Sequence, residues 1–129
     1  MGVEIKKHVL IVVLFLFATG FYAQKKEDVK DLKIYALCSC VNKNYSSIDS
    51  TFYSADVTNA YILQHAPLSI EKFEKFDQFI KANTSLYYKE FPYGSYDAPK
   101  ANMVFSFCMK FYESKGLDKF IKKLIKEQD

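Results

Sequence analysis

The sequence predicts an all-α fold, with about five helices in a small single-domain bundle and one inter-helix disulfide. Two observations favour helices: apolar residues recur at helical spacing in successive segments, and no segment alternates as a strand does. The 129 residues, 50% of them hydrophobic, have room for one modest core and no second domain. Three cysteines, Cys38, Cys40 and Cys108, allow one intramolecular disulfide.

The first 23 residues have the layout of a secretory signal peptide. Lys6 and Lys7 precede an apolar run at residues 9–18, and small residues mixed with aromatics follow. This run is short for a membrane span, which needs about 20 residues. We therefore expect cleavage after Ala23, with Gly20 as the alternative site, and residues 24–129 as the exported domain. An uncleaved N-terminal anchor is the other interpretation.

The charge of the exported domain argues against a nucleic-acid partner. Without residues 1–23 the chain keeps 16 lysines and 14 acidic residues, a net charge of +2, where nucleic-acid binders show a concentrated basic face. Every basic residue apart from histidine is lysine, so clamps built on the bidentate arginine fork are excluded.

Two helices are predicted in the first half of the exported domain. The first covers residues 27–44, where Cys40 lies near the middle of the apolar stripe and Cys38 points to nearly the opposite side. After a polar connection, residues 55–64 predict a shorter helix that Pro67 stops. Its inward residues are expected to be Val57, Ala60, Tyr61 and Leu63.

Three more helices follow. Ser69 is the predicted N-cap of a helix over residues 70–83, which would bury Ile70, Phe73, Phe76 and Ile80. Residues 86–100 contain Pro92, Gly94 and Pro99 and predict an irregular connection. Residues 101–114 predict the fourth helix, with one face formed by Val104, Phe105, Cys108, Phe111 and Tyr112.

The last predicted helix is amphipathic and follows Gly116, which fits a helix-ending or turn position. Its apolar stripe consists of Leu117, Phe120, Ile121, Leu124 and Ile125. Its other face carries Lys119, Lys122, Lys123 and Lys126, which predicts a solvated face, with a membrane-surface role as the alternative.

An exported chain meets an oxidising compartment, so a disulfide is expected where geometry permits. Cys40 and Cys108 both lie on core-facing stripes, and closing the loop of about 69 residues between them would contribute roughly 4 kcal/mol. A disulfide between Cys38 and Cys108, or reduced thiols, are the alternatives. A bridge between Cys38 and Cys40 is disfavoured because alternate residues on a helix diverge.

The residues of an active site are missing from the sequence. A nucleophilic Cys38 would need a base, and His65, the single histidine of the exported domain, lies before a helix-breaking proline where a surface position is the ordinary interpretation. The sequence has no HExxH or CxxC spacing and no glycine-rich phosphate loop. We therefore predict a protein that is not an enzyme and uses no cofactor or metal.

The connection at residues 86–100 is the candidate binding surface. Tyrosine offers a wide contact area at low conformational cost, and proline stiffens the display. The alternative is that these side chains fold back over the core as a packed surface loop. The candidate partner-binding residues are Tyr87, Tyr88, Phe91, Tyr93, Ser95 and Tyr96.

The order of these features resembles the immunity proteins that neutralise the fourth family of type VI secretion amidase effectors. YALCSCV lies in the first helix, NAYIL in the second, and FCMKFYESKGLD follows the Tyr-rich segment. Cys40, followed by Val41, matches the family's first-helix cysteine. The family's late motif is matched by Cys108, Tyr112, Ser114, Leu117 and Asp118.

The resemblance implies an all-helical periplasmic homodimer that binds a peptidoglycan-cleaving amidase and obstructs its active-site groove, partly with a protruding loop. In this chain that loop would be residues 86–100. The sequence departs from the family pattern at Lys110, often acidic there, and at Asn59 and Ala60 before Tyr61. Nucleic acid is not an expected partner, and no stable membrane association is expected after signal cleavage. The alternative function is a small secreted helical carrier of apolar ligands, suggested by the 17% aromatic content.

Overall fold

The structure, a computed structural model, describes residues 2–51, 57–90 and 102–127, and gives the backbone alone for residues 2–7 and 10–23. Five α-helices follow one another: α1 (Gly2–Ile48), α2 (Thr58–His65), α3 (Ile70–Thr84), α4 (Val104–Tyr112) and α5 (Lys115–Lys126). A short 3-10 helix, Tyr87–Lys89, lies between α3 and α4. These ranges contain no strand, so the predicted all-α fold is confirmed.

The long helix α1 is the central element, because each of the other helices packs against it. It extends beyond the predicted 27–44 in both directions, since no proline interrupts residues 2–48. Just past its end, the Asp49 carboxylate accepts a hydrogen bond from the Thr51 N–H at 3.0 Å, a local turn that competes with further helix.

The main core fills the space between α1 and the other four α-helices. Its centre is aromatic: the Tyr35 ring lies 5.4 Å from Phe73 in an edge-to-face arrangement and 5.7 Å from Phe76. On the α3 and α5 side, Phe79 stacks on Phe120 at 4.0 Å. The fully enclosed members are Leu32, Ala36, Phe76, Ile80, Leu117 and Ile121.

Sequence patterns predicted α3 and α5 well. The Ser69 hydroxyl caps α3 by accepting from the Lys72 N–H at 3.4 Å, and Phe73, Phe76 and Ile80 are buried as predicted. Ile70 was expected inside but is 81% exposed, and Phe73 is the buried residue of the first turn of α3. All four lysines of the outer α5 face are exposed.

The predicted face of α2 is wrong. Val57, Tyr61 and Leu63 are 71%, 61% and 49% exposed, Ala60 is exposed as well, and Ile62 is the buried residue at 5%. Four successive apolar residues at positions 60–63 leave no clear stripe, so the packing of α2 on α1 decides the face. The helix ends as predicted before Pro67, with Ala66 in an extended conformation.

The junction of α4 and α5 also differs from the prediction. The Ser114 hydroxyl accepts from the Leu117 N–H at 3.1 Å, so Ser114 caps α5 and cannot extend α4. Gly116 therefore lies in the first turn of α5 and does not end a helix. On α4 itself Phe105, predicted to lie on the core face, is 58% exposed, whereas Val104, Cys108 and Phe111 are buried.

Candidate functional site

The candidate site is organised around the disulfide between Cys40 of α1 and Cys108 of α4. Their Cα atoms are 5.8 Å apart and both side chains are completely buried. The predicted pairing is therefore confirmed. Cys38, half-buried on α1, lies outside the disulfide, as the diverging directions of alternate helical residues require.

A second apolar cluster, here called the disulfide cluster, surrounds this bond. Its buried members are Cys40, Val104 and Cys108. Partly buried side chains from the end of α1 and from the 3-10 helix pack against them: Leu37, Val41, Tyr45, Ile48, Tyr87 and Tyr88. The cluster therefore joins α1, α4 and the beginning of the predicted aromatic connection into one unit.

Asn44 is a buried polar residue that connects these elements, with 1% of its surface exposed. Its Nδ2 donates to the carbonyl oxygens of Cys40 and Thr84, both at 2.9 Å. Its Oδ1 accepts from the backbone N–H of Tyr88, also at 2.9 Å. Nδ2 also lies 3.9 Å from the Cys40 sulfur. One side chain thus holds α1, the end of α3 and the 3-10 helix together through backbone groups of all three.

Sequence reasoning missed this role of Asn44, although a signal was present. Asn44 lies four residues after Cys40 and therefore on the same side of α1. A polar side chain at a position that continues an apolar stripe indicates either an exposed end of the stripe or a buried hydrogen-bonding residue. The structure shows the second case.

The candidate partner-binding residues divide into two groups. Tyr87 and Tyr88 are half-buried in the 3-10 helix, and the Tyr87 ring lies 5.6 Å from Phe107 of α4. These two tyrosines fold back over the core, in place of the irregular segment predicted from residue 86 onward. The other candidates, Phe91, Tyr93, Ser95 and Tyr96, lie outside the described residues.

Burial, and secondly the nearby Glu90 carboxylate, raises the pKa of Tyr87. Since a tyrosine hydroxyl is protonated at neutral pH even at its ordinary pKa, this shift matters only in alkaline solution. In the same 3-10 helix, the Lys89 ammonium lies 5.4 Å from the centre of the Tyr88 ring. The first turn of the connection thus packs two tyrosines against the disulfide cluster and places one lysine beside them.

Both ends of residues 91–101 are attached to the disulfide cluster. Tyr88 precedes this stretch and is hydrogen-bonded to Asn44, while Val104 follows it and is completely buried beside Cys40 and Cys108. The Val104 N–H also donates to the Asn102 Oδ1 at 3.3 Å, at the start of α4. The described residues on both sides of this stretch are therefore held by one disulfide-bonded base.

The two residues considered as a nucleophile and its base lie on different helices, Cys38 on α1 and His65 on α2. His65 is exposed on α2, its ring stacks on Tyr61 at 4.2 Å, and its Nδ1 lies 2.7 Å from the Tyr61 carbonyl oxygen. A carbonyl only accepts hydrogen bonds, so Nδ1 carries the hydrogen in this contact. Among the side chains that the structure describes, no group of three His, Cys, Asp or Glu could hold a metal ion.

Within the same described part of the chain, no helix combines the length and apolar content that a membrane crossing requires.

Comparisons with known proteins add no family to this description. No protein-family model matches the chain, no curated protein matches it significantly, and the same is true of the solved structures.

Proposed function

We propose that this chain is a periplasmic immunity protein, which binds a peptidoglycan-cleaving amidase toxin delivered by type VI secretion and inhibits it sterically. The observation that carries the proposal is the attachment of both ends of residues 91–101 to one disulfide cluster. A loop fixed at both ends loses less conformational entropy on binding than a free one. Its aromatic sequence then supplies contact area suited to a groove.

The disulfide suits a protein exported to an oxidising compartment, which is the expectation from the signal-peptide layout of residues 1–23. The proposed inhibitor is stoichiometric and leaves the catalytic groups of the amidase chemically unchanged. The likeness of YALCSCV and FCMKFYESKGLD to the immunity family supports this class of target. The family likeness also supports a homodimer. Light scattering on the purified protein tests this by measuring its molar mass in solution.

The test is protection of a bacterial host. The chain is expressed with its own N-terminus beside candidate amidases from the same genome, each directed to the periplasm, and lysis is scored. Wild type is expected to prevent lysis by one of them and to form a complex with it on gel filtration. Lysis with every candidate, together with no complex, contradicts the proposal.

The loop assignment is tested separately, with Tyr87 and Tyr88 kept because they are part of the folded base. The triple change Phe91→Ser, Tyr93→Ser and Tyr96→Ser is expected to weaken the complex by at least about 100-fold, since aromatic anchors dominate such interfaces. Tyr61→Ser, an exposed tyrosine on α2, is the matched control. Equal protection by the triple variant and wild type would remove the loop from the mechanism.

A further inference from the structure

A lysine-rich groove lies between α1 and α5, away from the disulfide cluster. It has a volume of about 590 Å³, and its walls carry six lysines against two carboxylates, a net charge of +4. We call it the lysine groove. Its basic residues are Lys25, Lys26, Lys30 and Lys33 of α1 with Lys122 and Lys126 of α5.

The two carboxylates are already compensated within the groove. Glu27 pairs with Lys30 at 3.1 Å, and Asp118 pairs with Lys122 at 2.6 Å. The excess charge therefore rests on the other four lysines. One of these, Lys33, is half-buried and lies 4.8 Å above the ring of Tyr112, whereas the other three, Lys25, Lys26 and Lys126, are exposed.

The positive surface continues around α5. A second groove of about 430 Å³ shares Lys122 and Lys126 with the first and adds Lys119 and Lys123, with Glu127 as its acidic residue. All the positive charges of the two grooves are lysine ammoniums, which are compact and sit on flexible stems, and none is an arginine guanidinium. Such a spread of point charges fits a layer of phosphates better than one bidentate ligand.

The composition of the groove indicates which layer this is. Its α1 lysines, Lys25 to Lys33, follow the expected cleavage site at Ala23 and therefore belong to the exported domain. Lysine ammoniums beside apolar side chains suit a phospholipid interface, where headgroup phosphates lie next to acyl chains. Inside the groove, half-buried Val29 and Tyr112 offer apolar surface between the ammoniums.

We propose that the lysine groove and the adjoining lysine face of α5 dock on an anionic phospholipid bilayer. The attachment is peripheral and reversible, depends on headgroup phosphates, and weakens as salt screens the charges. It is independent of the proposed inhibition, because the groove and the disulfide cluster share no residue.

The test uses the full chain and two kinds of vesicle, phosphatidylcholine alone and phosphatidylcholine with about one third phosphatidylglycerol. Each lysine near an anionic surface strengthens partitioning about fivefold, so the triple variant Lys25→Gln, Lys26→Gln and Lys126→Gln is expected to bind anionic vesicles about 100-fold more weakly. The matched control is Lys43→Gln, Lys75→Gln and Lys81→Gln, which removes equal charge outside the groove and should lose less than about fivefold.

The apolar run at residues 9–18 is present in all variants and contributes to binding of both vesicle types, so comparing the two types removes its contribution.

Three results would overturn the proposal. Wild type could bind both vesicle types equally, or the two triple variants could lose equal affinity, which would reveal an effect of total charge. Soluble poly-glutamate could also bind as tightly as the vesicles with the same lysine dependence, which would assign the groove to an acidic protein partner.

Discussion

The side-chain oxygen of Asn44 accepts a 2.9 Å hydrogen bond from the backbone N–H of Tyr88, and thereby ties the central helix to the first turn of the aromatic connection. The same amide donates to the Thr84 carbonyl at the end of α3. Buried polar networks of this kind stabilise one arrangement when complete, and are costly when one member is removed. Asn44 therefore fixes the position of Tyr88 as well as the stability of the core.

Replacing Asn44 by alanine is expected to lower the free energy of unfolding by about 2 to 4 kcal/mol, because it leaves the Tyr88 N–H and the Thr84 carbonyl without their partner. Urea unfolding measures the change. Asn83→Ala is the matched control, since Asn83 also donates to the carbonyl four residues earlier but is exposed. Equal effects of the two substitutions would show that Asn44 contributes only its local helical bond.

Removing the disulfide by Cys40→Ala and Cys108→Ala together is expected to cost about 2 to 5 kcal/mol, since the bond closes a long loop in the unfolded chain. Reductant should lower the stability of the wild type and leave the double variant unchanged. Cys38→Ala provides the control and should retain the response to reductant, because Cys38 is outside the bond. A double variant as stable as the oxidised wild type would contradict the prediction.

Stability should fall at alkaline pH through Tyr35. Burial, followed by the Asp77 carboxylate to which its hydroxyl donates at 3.1 Å, raises the pKa of Tyr35 from 10.0 to about 12. The folded protein thus holds this proton more tightly than the unfolded chain does. The resulting stabilisation is complete below pH 10 and is lost as the pH rises towards 12.

Tyr35→Phe removes this contribution, so the stability difference between wild type and variant should shrink between pH 10 and pH 12. Urea unfolding across that range measures it, and absorbance titration of phenolate should show that the variant lacks a component that titrates near pH 12. Tyr61→Phe, at an exposed position, should keep the wild-type pH dependence of unfolding. A difference that stays constant across this range would contradict the assignment.

The two neighbours Ile62 and Leu63 should respond oppositely to truncation. Ile62→Ala is expected to cost about 2 to 4 kcal/mol, because Ile62 is buried in the main core. Leu63→Ala should change stability by less than about 0.5 kcal/mol, because Leu63 is about half exposed. Thermal unfolding of both variants gives the comparison, and a larger effect at Leu63 would restore the face predicted from the sequence.

Sequence periodicity predicted the buried face of a long helix better than that of a short one. In α5 a stripe from Leu117 to Ile125 repeats over about two and a half turns, and its face was predicted correctly. Helix α2 has eight residues and one buried side chain, Ile62, so periodicity could not decide its face. The boundary at Ser114 was missed because one hydroxyl serves as a cap, a role that competes with continuing α4.

For the candidate site, the apolar stripes led directly to the pairing of Cys40 with Cys108. The fold-back of Tyr87 and Tyr88 was only one of two alternatives, because proline and glycine positions mark a connection without showing which of its side chains are buried. The Asn44 contacts reach Thr84 and Tyr88, forty or more residues away, and such pairs depend on tertiary packing that periodicity does not encode.

The central position of α1 also bears on when the chain can fold. Helix α1 is synthesised first, yet its partners include α4 and α5 at the opposite end of the sequence. The part of the α1 stripe that α4 and α5 cover therefore stays exposed until almost the whole polypeptide is available. In the export that the first 23 residues predict, such a chain would reach the translocation machinery before its core can close, and Cys40 and Cys108 would be oxidised afterwards.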